Sequence, residues 1–412
     1  MNTLRNPLRN PLHIAVAPSG FKESLSARDA AEAIAEGVRR AAPDASVDLI
    51  PLVDGGEGTA EALAAATGGE LLRRTVTGPV GDPVRGHFAM LGATVPAVPT
   101  ALVEMAAVAG LSLVPPGRRD PGLTTTYGVG ELIRSALDAG ARRVLVGCGD
   151  SGTSDGGAGA LQALGARLLD ADGAELPRGG HALPLLDRVD TSGLDPRLKD
   201  TELLVACNPF NVLCGERGVA RVFGPQKGAT PAQVEQLSYG LERWADVLVR
   251  DVGADVDLRS APGTGASGGL GAGLAALGAR LLPRFDVLLD RLDLDARLGR
   301  ADLVITAEGA LDQQTVRGKI PSEVARRAKV FDRPVLALAG TLGVGAEEVR
   351  AAGVDAYRSI LPAPVGLAEA LLHAREYLAD ATEHAVRMVL LGTRLRPVPL
   401  LTTATPTGVR TP

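Results

Sequence analysis

The feature that most constrains this chain is a strand–helix alternation that starts near residue 13, breaks off, and resumes near residue 302. His13 to Ala17 is a short apolar run of the kind that a strand buried on both faces requires. Ser26 and Asp29 then form a capping-box pattern opening a helix whose apolar face is Ala27, Ala30, Ala31, Ile34, Ala35 and Val38. A second strand, Val47 to Val53, meets Asp54-Gly-Gly-Glu-Gly and another short helix. Late in the chain the order returns as strand Asp302 to Thr306, helix from about Pro321 to Lys329 and strand Pro334 to Ala339. A helix near Ala346 to Ala351, strand Ala356 to Ile360 and a long helix from Leu367 to about Leu391 follow. Such alternation reads as an α/β protein with a Rossmann-like parallel sheet.

Between the two runs the character changes. Residues 70–120, with TVTGPVGDPVRGHFAML and TALVEMAAVAGL, read as short strands punctuated by Gly and Pro. A chain of 412 residues exceeds one compact core. The expected division is therefore a discontinuous Rossmann-like domain, residues 13–68 and 286–392, and an inserted mixed α/β domain, residues 69–285. Residues 1–12, with RNPL duplicated, and the Pro/Thr-rich residues 393–412 are expected to be flexible.

Composition removes several classes of function. A formal charge of -5 with 3% aromatic residues offers no footprint for nucleic acid or an anionic membrane. The three cysteines form no C-x-x-C pair and the five histidines no H-E-x-x-H, which argues against structural zinc and for a reducing, cytoplasmic setting. No apolar segment reaches the roughly 18–20 residues that a membrane-spanning helix needs, and the apolar patch near the start, interrupted by Pro7 and Pro11, is too brief for a signal peptide.

Ligands of open parallel sheets bind beyond the carboxyl ends of the strands, so the residues just after each strand carry the functional reading. APSGFKESLSA puts Lys22 between a strand end and a helix N-terminus, where an anion is favoured; a solvated surface lysine is the alternative. DGGEGT presents Asp54 and Glu57 from a tight loop with Gly55, Gly56 and Gly58. Hard carboxylates of this kind suit Mg2+, or else simply cap a turn. AEGALDQQTVRGK gathers Glu308, Asp312, Gln314, Thr315 and Lys319, which fits a metal–phosphate site or a surface ion-pair network. Lys227 stands in a Gly/Pro-fixed loop, FGPQKGAT. GTGASGGLGAGL, with Gly268 and Gly269, is either a ligand loop or a helix packed closely through Gly269, Gly271 and Gly273. Cys207 and Cys214 read as buried structural thiols.

GCGDSGTSDGGAG, residues 147–159, contains a literal G-x-G-x-x-G and so raises an NAD(P)-dependent oxidoreductase as an alternative. A pyrophosphate needs bare backbone, whereas this loop carries Asp150, Ser151, Thr153, Ser154 and Asp155. Hydroxyls and carboxylates suit Mg2+-nucleotide or a polyhydroxy acid, with Ser151, Thr153, Asp155 and Gly156 lining a cleft wall. Neither a P-loop nor the protein-kinase motifs occur.

These stretches, in order from about His13 to Met388, resemble the bacterial glycerate kinases of the first type. APSGFKESLSA resembles A-P-D-S-F-K-x-S-L-S-A, DGGEGT is of identical type, and TTTYGVGELI is similar to T-T-Y-G-x-G-E-L-I. GDSGTSDGGAG resembles G-G-S-A-T-N-D-G-G-A-G, VFGPQKGAT matches closely, and GTGASGGLGAGL looks like G-A-G-A-A-G-G-x-G-A-A-L. ADLVITAEGALDQQTVRGKIPSEVA is similar to A-D-L-V-I-T-G-E-G-R-x-D-x-Q-T-x-x-G-K-x-P. The resemblance implies a two-domain α/β protein with its site in the cleft, phosphorylating D-glycerate, typically at the 2-hydroxyl, with ATP. Small-molecule partners follow from it, and a homodimer is compatible with it. Lys22 and Lys319, and Lys227 after them, are the expected phosphate or carboxylate contacts; Asp54, Glu308 and Asp312 are expected to bind Mg2+ or to orient and deprotonate the hydroxyl.

The departures are Ser19 for Asp, Gly20 for Ser, Asp150 for Gly, Ser154 for Asn and Ala310 for Arg. They bear on substrate choice and leave two further alternatives, a kinase for another small hydroxy or sugar acid and a catalytically silent ligand sensor. The loss of Asp at 19 and gain of Asp at 150 reads as a swap in which a carboxylate serves from the opposite wall.

Overall fold

The computed structural model describes residues 11–21, 23–92, 98–289 and 292–393. Lys22 and the outer parts of both termini, residues 1–10 and 394–412, lie outside the described residues.

The resumed alternation builds one sheet. Strands β1 (His13–Val16), β2 (Ser46–Leu49), β11 (Leu303–Leu311), β12 (Val335–Leu342) and β13 (Ala356–Ser359) pair in the order β13-β12-β11-β1-β2, all parallel. Successive residues of β1 enter opposite cores, as the two-residue strand period demands. Ile14 and Val16 pack with Ile34, Val38 and Val386, while Ala15 and Ala17 pack with Leu298 and Val324. The helix Ala27–Ala41 starts where the Ser26 hydroxyl accepts from the Asp29 N–H at 3.1 Å.

Two expected boundaries move. The second strand ends at Leu49 rather than Val53, and the chain then runs irregularly to the helix Thr59–Thr67. β11 runs five residues past Thr306, because β12 stays paired beside it through Glu308↔Ala339, Ala310↔Thr341 and Leu311↔Leu342. Backbone pairing with a neighbour overrides the weak strand propensity of an Ala/Gly-rich segment. The long final helix is two, Leu367–Leu372 and Ala374–Gly392, broken at His373.

The middle of the chain builds a six-stranded mixed sheet from β3 (Glu70–Thr77), β4 (Pro83–Met90), β5 (Thr100–Glu104), β6 (Arg143–Gly147), β9 (Glu202–Cys207) and β10 (Arg280–Pro283). Its order is β10-β9-β6-β5-β4-β3, with the first four parallel and β4 and β3 antiparallel; β7 (Arg167–Leu169) and β8 (Arg188–Asp190) form a separate hairpin. The helix Thr59–Thr67 buries Ala60, Leu63 and Ala64 against Ala89, Leu102, Leu145 and Ala206 of this sheet. Its core contacts are thus with the middle of the chain, although the sequence division keeps it with residues 13–68.

In the five-stranded sheet the chain leaves β1 toward β2 on one side and β11 toward β12 on the other. The carboxyl ends of β1 and β11 therefore flank a topological switch point, where such sheets leave a crevice.

Candidate active site

The crevice is built first from β11 and the turn that follows it. Glu308, near the end of the strand, is 6% exposed and accepts from the Thr315 hydroxyl at 2.6 Å. Burial pushes its carboxyl up to about 7, against the pull of the Lys319 ammonium and the Thr315 hydroxyl. Lys319 Nζ stands 3.9 Å from Glu308, 3.1 Å from Asp312 and 3.4 Å from the carbonyl of Ala310. Asp312 also caps its own turn, accepting from the Gln314 N–H at 2.8 Å. Ser19 follows β1 and joins this edge: its N–H and hydroxyl both donate to the Ala307 carbonyl, at 2.8 and 3.1 Å. Of the residues read from strand ends, the fold brings together Ser19, Glu308, Asp312, Thr315 and Lys319.

Asp54 reaches the same cluster from the loop after β2. Its carboxylate accepts from Gly56 N–H at 3.2 Å and from Arg284 Nη1 at 2.9 Å. Its negative charge is among those that raise the Glu308 carboxyl. Arg284, at the carboxyl end of β10, is a site residue the sequence reading missed. It brings an arginine into the cluster where β11 has only Ala310.

The two loops rich in glycine meet backbone to backbone. A Cβ on Gly149 would lie 2.6 Å from both N and Cα of Gly56, and one on Gly147 would lie 2.9 Å from the Gly55 carbonyl oxygen. Asp150, at φ 50°, accepts the Glu57 N–H at 3.2 Å. Beneath this contact Glu104, at the end of β5, is fully buried and accepts from Gly58 and Ala60 N–H at 3.1 and 2.9 Å, holding the start of the helix Thr59–Thr67. Burial raises its carboxyl to about 7 despite those two bonds. The glycines expected to face a ligand are thus occupied by protein backbone, which removes the physical ground for a pyrophosphate fingerprint.

The rest of the opening loop turns inward. Asp155 is fully buried and accepts from Thr126 N–H and hydroxyl at 2.8 and 2.9 Å, Gly157 N–H at 3.1 Å and Gly159 N–H at 3.2 Å. Four donors make it a structural anchor instead of a cleft-wall group, which corrects the expectation for it. Thr153 is also fully buried. Gly156 lies beside Trp244, whose indole N–H donates to the Gly156 carbonyl at 2.9 Å. A side chain on Gly268 would collide with the Thr153 carbonyl and one on Gly269 with Gly156, so the second glycine loop serves close packing. Lys227, expected as an anion contact, is 2% exposed and donates to the Ser151 hydroxyl at 2.9 Å and the Thr153 carbonyl at 2.6 Å. Burial pulls its ammonium down to about 7, with Asp155 acting in the opposite sense. Ser151, half-exposed, is the member of this group that reaches the surface.

Among the described residues no group of three or more His, Cys, Asp or Glu is placed to hold a metal ion. Asp54, Glu308 and Asp312, expected to bind Mg2+ or to orient and deprotonate the hydroxyl, stand with Arg284, Thr315 and Lys319 interleaved among them. The cluster instead offers a carboxyl that ionises near neutrality beside fixed cations, a setting for taking a proton from a hydroxyl next to bound negative charge. Glu104 ends β5, Arg284 follows β10 and Asn208, whose amide donates to the Arg317 carbonyl, follows β9, so the strand-end rule applied to every strand reaches all three; the sequence reading named no strand at β9 or β10.

Comparison with known proteins bears on this chemistry. Residues 14–390 match the model of the Glycerate kinase family. A glycerate kinase of Bacillus subtilis is 47% identical over 89% of this chain and 95% of its own length. A glycerate 2-kinase of Escherichia coli is 43% identical over 93% of this chain and 99% of its own. A solved structure assigned as glycerate kinase 2 from Salmonella typhimurium superposes with a TM-score of 0.76 at 44% identity, covering 94% of this chain and all of that one.

Proposed function

The chain belongs to the glycerate kinase family, and from that premise we propose that it transfers the γ-phosphoryl group of ATP to D-glycerate, at the 2-hydroxyl, in the cytoplasm. The observation that carries this reading is the Glu308–Lys319–Asp312 cluster at the switch point, faced by Asp54 and Arg284. Glu308, with one oxygen held by Thr315, accepts the proton of the attacking hydroxyl from its Oε2 side; a carboxyl near 7 is well matched to that task. Lys319 and Lys22 neutralise charge on the phosphoryl oxygens or the substrate carboxylate. The half-buried Ser151, held from below by Lys227, bounds the substrate on the other side.

Magnesium, when bound, adds charge neutralisation on the phosphates. Asp54 and Asp312 would hold it, since this ion commonly takes one or two carboxylates and completes its shell with phosphate oxygens and water. Incubating the protein with D-glycerate and Mg-ATP and reading the product by phosphorus NMR tests the proposal. A 2-phosphoglycerate signal is expected, a 3-phosphoglycerate signal reassigns the hydroxyl, and no phosphorylated acid refutes the reading.

One observation favours a second reading. Ser19 and Asp150, both departures from the family motifs, stand at strand ends of different sheets, so a different small hydroxy acid is the competing substrate. A panel of hydroxy acids in an ADP-release assay separates the two.

A further inference from the structure

Arg284 leaves the carboxyl end of the six-stranded sheet and makes its contacts on the other one. Nη1 donates to Asp54 twice, to Oδ2 at 2.9 Å and to the backbone carbonyl at 3.2 Å, and Nη2 donates to the Gly318 carbonyl. One strand over, Asn208 donates from Nδ2 to the Arg317 carbonyl at 3.2 Å. β9 and β10 run in parallel register with Cys207 opposite Pro283, so residues 208 and 284 emerge side by side. Together they grip two consecutive carbonyls of the turn that leads directly into Lys319. That turn depends on Gly318 at φ 93°, a backbone that a side chain disfavours.

Three further facts point the same way. The Arg284 side chain is only 11% exposed, so its charge is held largely out of water. Its Nε is buried and has no acceptor among the described residues, a cost that a residue present only to fill space would avoid. Two acceptors on different segments, Asp54 and Gly318, are spanned by one planar fork, a geometry open to guanidinium and closed to the point charge of an ammonium.

We propose that Arg284, with Asn208, is a positioning residue for phosphoryl transfer: it fixes the Arg317–Lys319 turn and Asp54 in one register across the two sheets. Neither residue touches the reacting atoms. The inference rests on the kinase reading above, and its test separates the two. Arg284→Lys, Arg284→Met, Asn208→Ala and the Arg284→Met/Asn208→Ala double variant are compared with the full-length wild type in three measurements. These are ADP release with D-glycerate, hydrogen–deuterium exchange, and Tm.

A displacement of this turn by about 1 Å is expected to lower kcat on the order of 10²-fold, in Arg284→Lys as much as in Arg284→Met, with the KM for ATP little changed. Exchange rises in residues 54–58 and 315–319 and not elsewhere. The double variant loses no more than Arg284→Met alone, since both residues act through one turn. Unchanged exchange in those two segments overturns the clamp. Faster exchange with wild-type kcat overturns the positioning role, as does an activity loss that only follows a global fall in Tm. Full recovery in Arg284→Lys, or independent losses that add in the double variant, also counts against it. If the wild type phosphorylates no glycerate, the kinase reading fails, and the clamp stands or falls on the exchange pattern.

Discussion

Gly149→Ala is the sharpest probe of what the glycine loop is for. At this position the backbone φ is not in the left-handed region, so alanine costs nothing in conformation. Its Cβ would meet backbone N and Cα of Gly56 at 2.6 Å, where ordinary contact begins near 3.4 Å. The two loops must therefore part by about 0.8 Å, the difference between those distances. Backbone faces backbone, so no rotamer change relieves it, and overpacking of this kind costs about 1–3 kcal/mol. Tm should fall by roughly 2–12 °C, at about 2–4 °C per kcal/mol for a domain of this size.

The same parting moves the loop carrying Asp54 and Glu57, and a misplacement near 1 Å lowers turnover on the order of 10²-fold. Gly117→Ala, where a Cβ would meet nothing within 4 Å, is the control and should leave both quantities unchanged. ADP release and a thermal melt on both variants decide the matter. Gly149→Ala with wild-type kcat and Tm would refute the packing argument and reopen a ligand role for the loop.

Four further outcomes follow from the site. Glu308→Gln should lower kcat by about 10²- to 10⁴-fold and remove the rise of wild-type rate through pH of about 7 that ionisation of Glu308 produces, as a pH–rate profile checks. Lys227→Met should lower kcat/KM by at least about tenfold by freeing Ser151, as ADP release at varied D-glycerate checks. Glu104 is held at about 7 in the fold against an ordinary 4.5, so the native state binds its proton more tightly. Its contribution to stability is present in full below 4.5 and declines as pH rises to about 7; Glu104→Gln should flatten that slope in urea melts at pH 5 and 8. Trp244→Phe should cost about 1–3 kcal/mol in the same melts, the penalty of leaving the buried Gly156 carbonyl without its donor.

The strand-end rule picked out Ser19, Asp54, Glu308, Asp312 and Lys319, which the fold gathers at one crevice, because each lies at or beyond the end of an apolar run visible in one dimension. It misjudged Asp155, Thr153 and Lys227 for a physical reason. Whether a carboxylate is left to solvent or enclosed by N–H and hydroxyl donors, and an ammonium by acceptor oxygens, depends on segments far away in sequence, here Thr126 for Asp155 and the Ser151–Thr153 loop for Lys227. Arg284, beyond a strand the sequence reading did not name, has its value in Asp54 and Gly318, 230 and 34 residues distant.

By itself the sequence determined the alternation, the discontinuous sheet, the order of the polar loops and the family they resemble, because apolar period and turn chemistry are local properties. Only the tertiary structure decided which of those loops are chemistry and which are packing. The glycines of GCGDSGTSDGGAG allow either a ligand or another backbone to approach, and nothing local distinguishes the two. Close contact with Gly55, Gly56, Gly268 and Gly269 assigns them to packing, and leaves the charged work to β11, Asp54 and an arginine delivered from the opposite sheet.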